Sequence, residues 1–211
     1  MVTTRNSYLR RKVAENTNTP AEVLMKLARD KNPDVRWGVA WNSNTPAKLL
    51  AKLATDKYLD VRSAVAWNRS SSAETLSKLA TDEFSDVRQG VAGNPSSTVE
   101  VLNGLAGDND VYVRKTVAGN TSTPVETLSK LATDENSDVR RLVAGNPNAP
   151  GEVLDRLAVD EDIHVRGAVA INPKITPEAI ALLCFSEDTR IRQALSENPA
   201  VPEHIRVGLS L

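Results

Sequence analysis

The chain has 211 residues, 40% of them hydrophobic and 25% charged, with 26 Lys and Arg against 27 Asp and Glu. A net charge of −1 supplies no global attraction to phosphate, which disfavours a dedicated nucleic-acid or membrane-surface protein unless charge is segregated along the chain. No apolar run approaches the ~20 residues of a membrane helix, the polar stretch around Arg5 does not read as a secretory leader, and the single Cys184 permits neither an internal disulfide nor paired thiolate ligands for a metal; a cytoplasmic location is expected.

From residue 9 onward, an aliphatic residue followed by Arg returns every 26 residues, at Leu9-Arg10, Val35-Arg36, Val61-Arg62, Val87-Arg88, Val113-Arg114, Val139-Arg140, Val165-Arg166 and Ile191-Arg192. Six residues after each Arg stands an Asn: Asn16, Asn42, Asn68, Asn94, Asn120, Asn146, Asn172 and Asn198. Seven full repeats and a truncated eighth, starting at 9, 35, 61, 87, 113, 139, 165 and 191, therefore cover the chain as one repeat domain without an insertion. Such a period implies stacked modules, each burying its apolar face only against its neighbours.

Two short helices fit each repeat. The first is expected over roughly Val35 to Trp41, as α- or 3₁₀-helix, with Asp34, Asp60, Asp86 and Asp138 as N-caps and Val39 and Ala40 facing inward with Val35. The Asn-Pro steps at Asn94, Asn146, Asn172 and Asn198 end it. The second is expected to be capped by Thr19, Thr45, Ser71, Ser97 and Thr123, with Pro20, Pro46, Pro124 and Pro150 at its first position. Glu three residues after Thr19, Ser71, Ser97 and Thr123 would complete a capping box. Leu49, Leu50, Leu53 and Ala54 form one helical stripe. Nothing has a period of two, so no β-sheet is expected.

The pattern VRxxVAxNxxTPxxxLxxLAxD resembles the leucine-rich repeat variant family, and the Asp56 to Arg62 stretch is also similar to HEAT repeats. The resemblance implies an all-α, right-handed α-solenoid of about eight 26-residue two-helix repeats, alternating α- and short α- or 3₁₀-helices. The repeat is slightly longer than is usual for that family. Some of its members carry an N-terminal cysteine cluster for an iron–sulfur centre, and no Cys precedes Cys184 here, so no cofactor is expected.

Columns that never vary read as structure. Arg36, Arg62, Arg88, Arg114, Arg140 and Arg166 either line a phosphate-tracking groove or, as the matching Asp column favours, bridge to Asp30, Asp56, Asp82, Asp108, Asp134 or Asp160 of the preceding repeat. Asn42, Asn68, Asn94, Asn120, Asn146 and Asn172 suit the backbone groups left open at a helix end.

Function is expected where repeats differ. The position after each Arg and the one four residues later accept residues from Gly to Trp, so that helix face reads as exposed. All three tryptophans, Trp37, Trp41 and Trp67, lie on it in adjacent repeats. Either they form a binding hot spot or they fold back as a cover. Residues 1–60 carry about five surplus positive charges and 61–164 about six surplus negative ones. The favoured contact set is Trp37, Trp41, Trp67, Arg11, Lys12 and Lys48, serving a non-enzymatic scaffold for a protein or peptide partner. Nucleic-acid binding, with or without DNA base-excision chemistry, is the alternative.

No catalytic constellation is evident. His164 and His204 are not spaced as metal ligands, His164 sits in the capping Asp column, and Cys184 takes an alanine position that reads as small core. At the ends of the stack, Val2 and Tyr8 are expected to cover the first repeat partly. Arg206 and Ser196 degrade the last, leaving Ile205, Leu209 and Leu211 to close it. Incomplete capping would favour end-to-end self-association.

Overall fold

The computed structural model describes residues 6–209; Val2 and Leu211, assigned above to the ends, lie outside them. The chain divides into two compact units, Met1–Val101 and Leu102–Leu211. The described residues form sixteen α-helices and no strand. In order these are α1 (Ser7–Glu15), α2 (Ala21–Leu27), α3 (Pro33–Trp41), α4 (Ala47–Leu53), α5 (Leu59–Trp67), α6 (Ala73–Leu79), α7 (Ser85–Gly93) and α8 (Val99–Leu105). They continue with α9 (Val111–Gly119), α10 (Val125–Leu131), α11 (Ser137–Gly145), α12 (Gly151–Leu157), α13 (Ile163–Ile171), α14 (Pro177–Leu183), α15 (Thr189–Glu197) and α16 (Glu203–Leu209). Every repeat thus holds a nine-residue helix followed by a seven-residue one, both α, and the first is the longer, starting two residues before the expected Val35.

Long helices lie side by side. In the first unit α1 packs on α3, α3 on α5 and α5 on α7; in the second α9 packs on α11, α11 on α13 and α13 on α15. Within the units, α2, α4 and α6 and then α10, α12 and α14 rest on the long helices that flank them. Val35, Val39, Val61 and Val65 from the long helices and Leu24, Leu50 and Leu76 from the short ones are fully buried. Each such side chain contributes roughly 1.5–3 kcal/mol of transfer free energy. The contribution depends on neighbours, because no single helix pair encloses its own apolar stripe.

Polar residues hold this packing in register. Asn68 Nδ2 donates to the carbonyls of Ala40 (2.7 Å) and Asn42 (2.9 Å) one repeat back, and its Oδ1 accepts from the Ser70 backbone N–H at 2.8 Å. Asn42, Asn94, Asn146, Asn172 and Asn198 repeat that staple. The hydroxyls expected to start the short helices serve the preceding helix instead: Thr45 Oγ1 donates to the Val39 carbonyl at 2.7 Å, as Ser71 does to Val65 and Thr123 to Val117. Thr19, Thr45 and Thr123 are one position too early to be N-caps. Pro20, Pro46, Pro124 and Pro150 occupy the cap position itself with extended ψ and no side-chain bond. The proposed capping boxes fail for that reason, whereas Ser72 and Thr176, at the true cap position, do accept from Thr75 and Ala179 N–H groups.

The long helices are likewise capped two residues earlier than expected. Asn32 Oδ1 accepts from the Asp34 N–H, and Asp110, Asn136, Asp162 and Asp188 act equivalently. Asp34, Asp60, Asp86 and Asp138 are therefore first-turn residues that favour the helix dipole rather than cap it. Cys184 ends α14 and is half-buried, not a core residue.

The arginine column bridges two loops. Arg62 donates through Nη1 to the backbone carbonyl of Asp56 (2.8 Å) and through Nε and Nη2 to the carboxylate of Asp82 (2.6 and 3.0 Å). Arg10, Arg36, Arg114 and Arg140 reach Asp30, Asp56, Asp134 and Asp160 likewise. The carboxylate lies twenty residues downstream, not in the preceding repeat as expected; the preceding Asp offers only its carbonyl. Burial pushes the Asp56, Asp82, Asp134 and Asp160 carboxyls up, but hydrogen bonds from Arg and from a loop N–H outweigh it and hold them below the usual carboxylate value. Asp30 is held down foremost by Arg10. Arg166 departs from this: it bonds the Asp160 and Glu161 carbonyls, and the residue twenty positions on is Ser186.

Candidate protein-interaction surface

Trp37 and Trp41 lie one turn apart on α3, so their rings share its outward face. They stack with centroids 5.7 Å apart and planes 9° from parallel. The Arg11 guanidinium also lies over Trp37, 4.6 Å from the ring centroid. The sequence Arg11, Trp37, Trp41 therefore forms a column across α1 and α3, in which cation–π and stacking terms each contribute about 0.5–1 kcal/mol or slightly more. Trp37 is half-buried within it, while Trp41 is 55% exposed.

Trp67, at the end of α5, leans over α7. A Cβ built on Gly90 would stand 3.0 Å from Trp67 Cδ1 and 2.8 Å from Ala66 Cβ, so glycine at this position lets both the ring and the helix approach. Trp67 remains 40% exposed. Trp37 meets Arg11 of α1 and Trp67 meets Gly90 of α7, while Trp41, stacked on Trp37 of its own helix, and Trp67 leave large apolar area in water.

Glu15 organises the basic part. Arg11 Nε and Lys12 Nζ bond its two oxygens at 2.6 and 2.9 Å. Burial pushes the Glu15 carboxyl up, and these two cations outweigh it, leaving it below its ordinary value. With Glu15 included, the cluster carries one net positive charge rather than two, which lessens its pull on a phosphate backbone and leaves the aromatic area dominant. Lys12 also sits 5.7 Å from the Tyr8 ring centroid. Lys48 is not brought to this cluster. It stands on α4 and lines a cavity of about 520 Å³ on the short-helix side, with Met25, Arg29 and Lys52.

Sequence reasoning missed a second set of aromatics. Tyr58 and Phe84 occupy the N-cap positions of α5 and α7, where neither supplies a side-chain cap. Their rings lie 5.5 and 5.6 Å from the guanidinium carbons of Arg36 and Arg62, within cation–π range. The signal was available, as an aromatic in a column otherwise held by Asn and Asp. Among the described residues no group of three or more His, Cys, Asp and Glu could hold a metal ion, and no helix is long and apolar enough to cross a membrane. His164 is exposed at the start of α13.

A family model described as leucine rich repeat variant matches residues 138–162. A solved structure described as a leucine-rich repeat variant with a novel repetitive protein structural motif is 25% identical, with a TM-score of 0.70, over 100% of this chain and 88% of that one. The X-ray structure of the Escherichia coli protein YibA, 16% identical, aligns with a TM-score of 0.58 over 100% of this chain and 97% of its own, a likeness of fold. No curated protein matches the chain significantly. The protein is an all-α solenoid. One stretch of its repeats, residues 138–162, matches the leucine-rich repeat variant model, and the whole chain is similar in fold to a solved protein of that description.

Proposed function

We propose that the protein is a non-enzymatic interaction scaffold whose contact surface is centred on Trp37, Trp41 and Trp67, with Arg11 and Lys12 at its edge, and that its ligand is a protein or peptide. The observation that carries this reading is the solvent-facing Trp37–Trp41 stack clamped by Arg11, joined by an exposed Trp67 in the next repeat. Trp and Arg on a pre-organised surface are the residue types that concentrate binding energy, and their stacking removes part of the ordering cost before a partner arrives. The ion pairing of Arg11 and Lys12 with Glu15 favours this over a phosphate-tracking role.

The test is affinity capture from the native cell extract by wild type and by a Trp41→Ala/Trp67→Ala variant, chosen because these two rings are the more exposed. A genuine partner is expected to bind the variant at least tenfold more weakly, the loss of a hot spot worth about 2 kcal/mol, and to survive nuclease treatment and moderate salt. Equal recovery by both baits refutes the tryptophan surface. Recovery that collapses with nuclease or falls steeply with salt assigns the chain to nucleic acid instead.

A further inference from the structure

The cavity between α2 and α4 is lined at three positions by residues that several other repeats replace with acidic or hydrogen-bonding side chains. Lys48, in the first turn of α4, stands where six of the other seven repeats have Glu22, Glu74, Glu100, Glu126, Glu152 and Glu178 and the last has His204. In α6 the corresponding glutamate forms an i,i+4 ion pair, Glu74 with Lys78 at 2.7 Å. In α4 the same two positions are Lys48 and Lys52, which repel each other, and Lys48 also opposes the helix dipole. Arg29 stands where Thr55, Thr81 and Thr133 donate to the last-turn carbonyls of Lys52, Lys78 and Lys130, and gives up that bond. Met25, 49% exposed, stands where Asn103 and Asp155 accept from the hydroxyls of Thr127 and Thr176. Each of the three forgoes a contact that some other repeats make at the same position, and all three line one cavity.

Its chemistry specifies a complement. The floor is apolar, formed by Met25, Ala28, Pro46, Leu49 and Leu53, while Arg29, Lys48 and Lys52 stand at its edge. Among the described residues none of these three cations is in an ion pair. Asp56, which also borders the cavity, is already bound by Arg36 at 2.5 Å. Lys48 and Lys52 are separated by about 6 Å of helix rise, the same rise that separates two carboxylates at i and i+4 of another helix. A volume of about 520 Å³ suits a few discrete apolar anchors, and an exposed methionine adapts to their shape.

We propose that the α2/α4 groove is a docking site for an acidic amphipathic helix of a partner protein, with apolar anchors over Met25 and Leu49 and paired carboxylates on Lys48 and Lys52. This site lies on the short-helix side, apart from the tryptophans, and stands or falls independently of them.

The experiment selects a displayed library of helical peptides, randomised on one face, against the full chain, and measures the enriched peptides by fluorescence anisotropy. Enriched sequences are expected to carry Glu or Asp at i and i+4 beside leucine-like residues. Lys48→Glu, which restores the glutamate of most other repeats and permits the ion pair that α6 makes, should weaken binding about tenfold or more while keeping or raising the melting temperature. Met25→Ser should weaken it as well, Gln in place of the peptide carboxylates should match the Lys48→Glu loss, and Trp41→Ala/Trp67→Ala should leave it unchanged. Failure to enrich any peptide, enrichment without paired acids, or binding indifferent to Lys48→Glu overturns the proposal. So does Lys48-dependent binding of phosphatidylserine vesicles in place of peptide, which would make the occupant a lipid surface.

Discussion

Replacing Asn68 with Ala removes three hydrogen bonds at once. The carbonyls of Ala40 and Asn42 lose their side-chain donor and the Ser70 N–H loses its acceptor. Asn68 is 6% exposed, so water does not freely replace it. An unsatisfied buried group costs about 1–3 kcal/mol; the Asn42 carbonyl keeps the Thr45 N–H at 3.0 Å and the Ser70 N–H is partly open to solvent, so the sum is roughly 2–4 kcal/mol. Asn16 provides an internal control. It makes the same turn, accepting from the Asn18 N–H at 2.9 Å, but it is exposed and shows no bond to an earlier repeat. Asn16→Ala should therefore cost about 1 kcal/mol or less. Urea unfolding followed by circular dichroism measures both. Because stability in such arrays is a sum of nearest-neighbour terms, Asn68→Ala is also expected to broaden the transition as the flanking repeats uncouple. Equal losses for the two variants would refute the claim that the column works by stapling one repeat to the one before it.

Other substitutions probe the remaining columns. Ser186→Asp supplies the carboxylate that Arg166 lacks while keeping the loop acceptor that Ser186 offers to the Asp188 N–H; a gain of about 1 kcal/mol in unfolding free energy is expected, and no change in melting temperature would argue that the Arg–Asp pairs contribute nothing net. Gly90→Ala should destabilise, since its Cβ meets Ala66 Cβ at 2.8 Å and overpacking costs about 1–3 kcal/mol, whereas Gly167→Ala, with nothing within 4 Å of its Cβ, should stabilise by up to ~1 kcal/mol through helix propensity; thermal melts of the pair must move in opposite directions. Acid is expected to unfold the protein through the ladder. The Asp30, Asp56, Asp82, Asp134 and Asp160 carboxyls titrate lower in the folded state than in the unfolded one, so their stabilisation is complete above the unfolded value of about 3.9 and is lost as pH falls through the folded values. A melting temperature that stays flat from pH 5 to pH 2 would contradict this.

Periodicity was enough to read two helices per repeat, the buried Val and Leu columns and the pairing of the Asn column with backbone groups from residues alone, because each of these depends on spacing along one chain direction; that the Asn reaches back to the preceding repeat came only with the stacked structure. The Trp column was equally legible, since a position that admits Glu, Trp, Gly and Ile cannot be tightly packed. Capping was misread by one or two residues throughout. Thr45 one residue before Pro46 and Asp34 two residues after Asn32 are both acceptable caps by composition. Only the path of the backbone shows that the Thr hydroxyl faces the Val39 carbonyl and that the extended cap position belongs to the proline. The same holds for Arg62, whose choice between Asp56 and Asp82 is a question of which loop the stacked neighbour places beside it.

Lys48 marks where local pattern gives way to tertiary arrangement. Its charge reversal within a Glu column is visible in the sequence, but along the chain it falls with the tryptophans, because the basic first 60 residues overlap the stretch that carries Trp37 and Trp41. Packing separates them, since the alternation of long and short helices sends α3 and α4 to different sides of their repeat, leaving Lys48 beside Met25 and Trp41 beside Trp37. Spacing along the chain defines which residues share a helix face. Which faces then meet, and which cations are left without a carboxylate, follows only from the contacts between repeats, and those contacts exist once the helices have stacked.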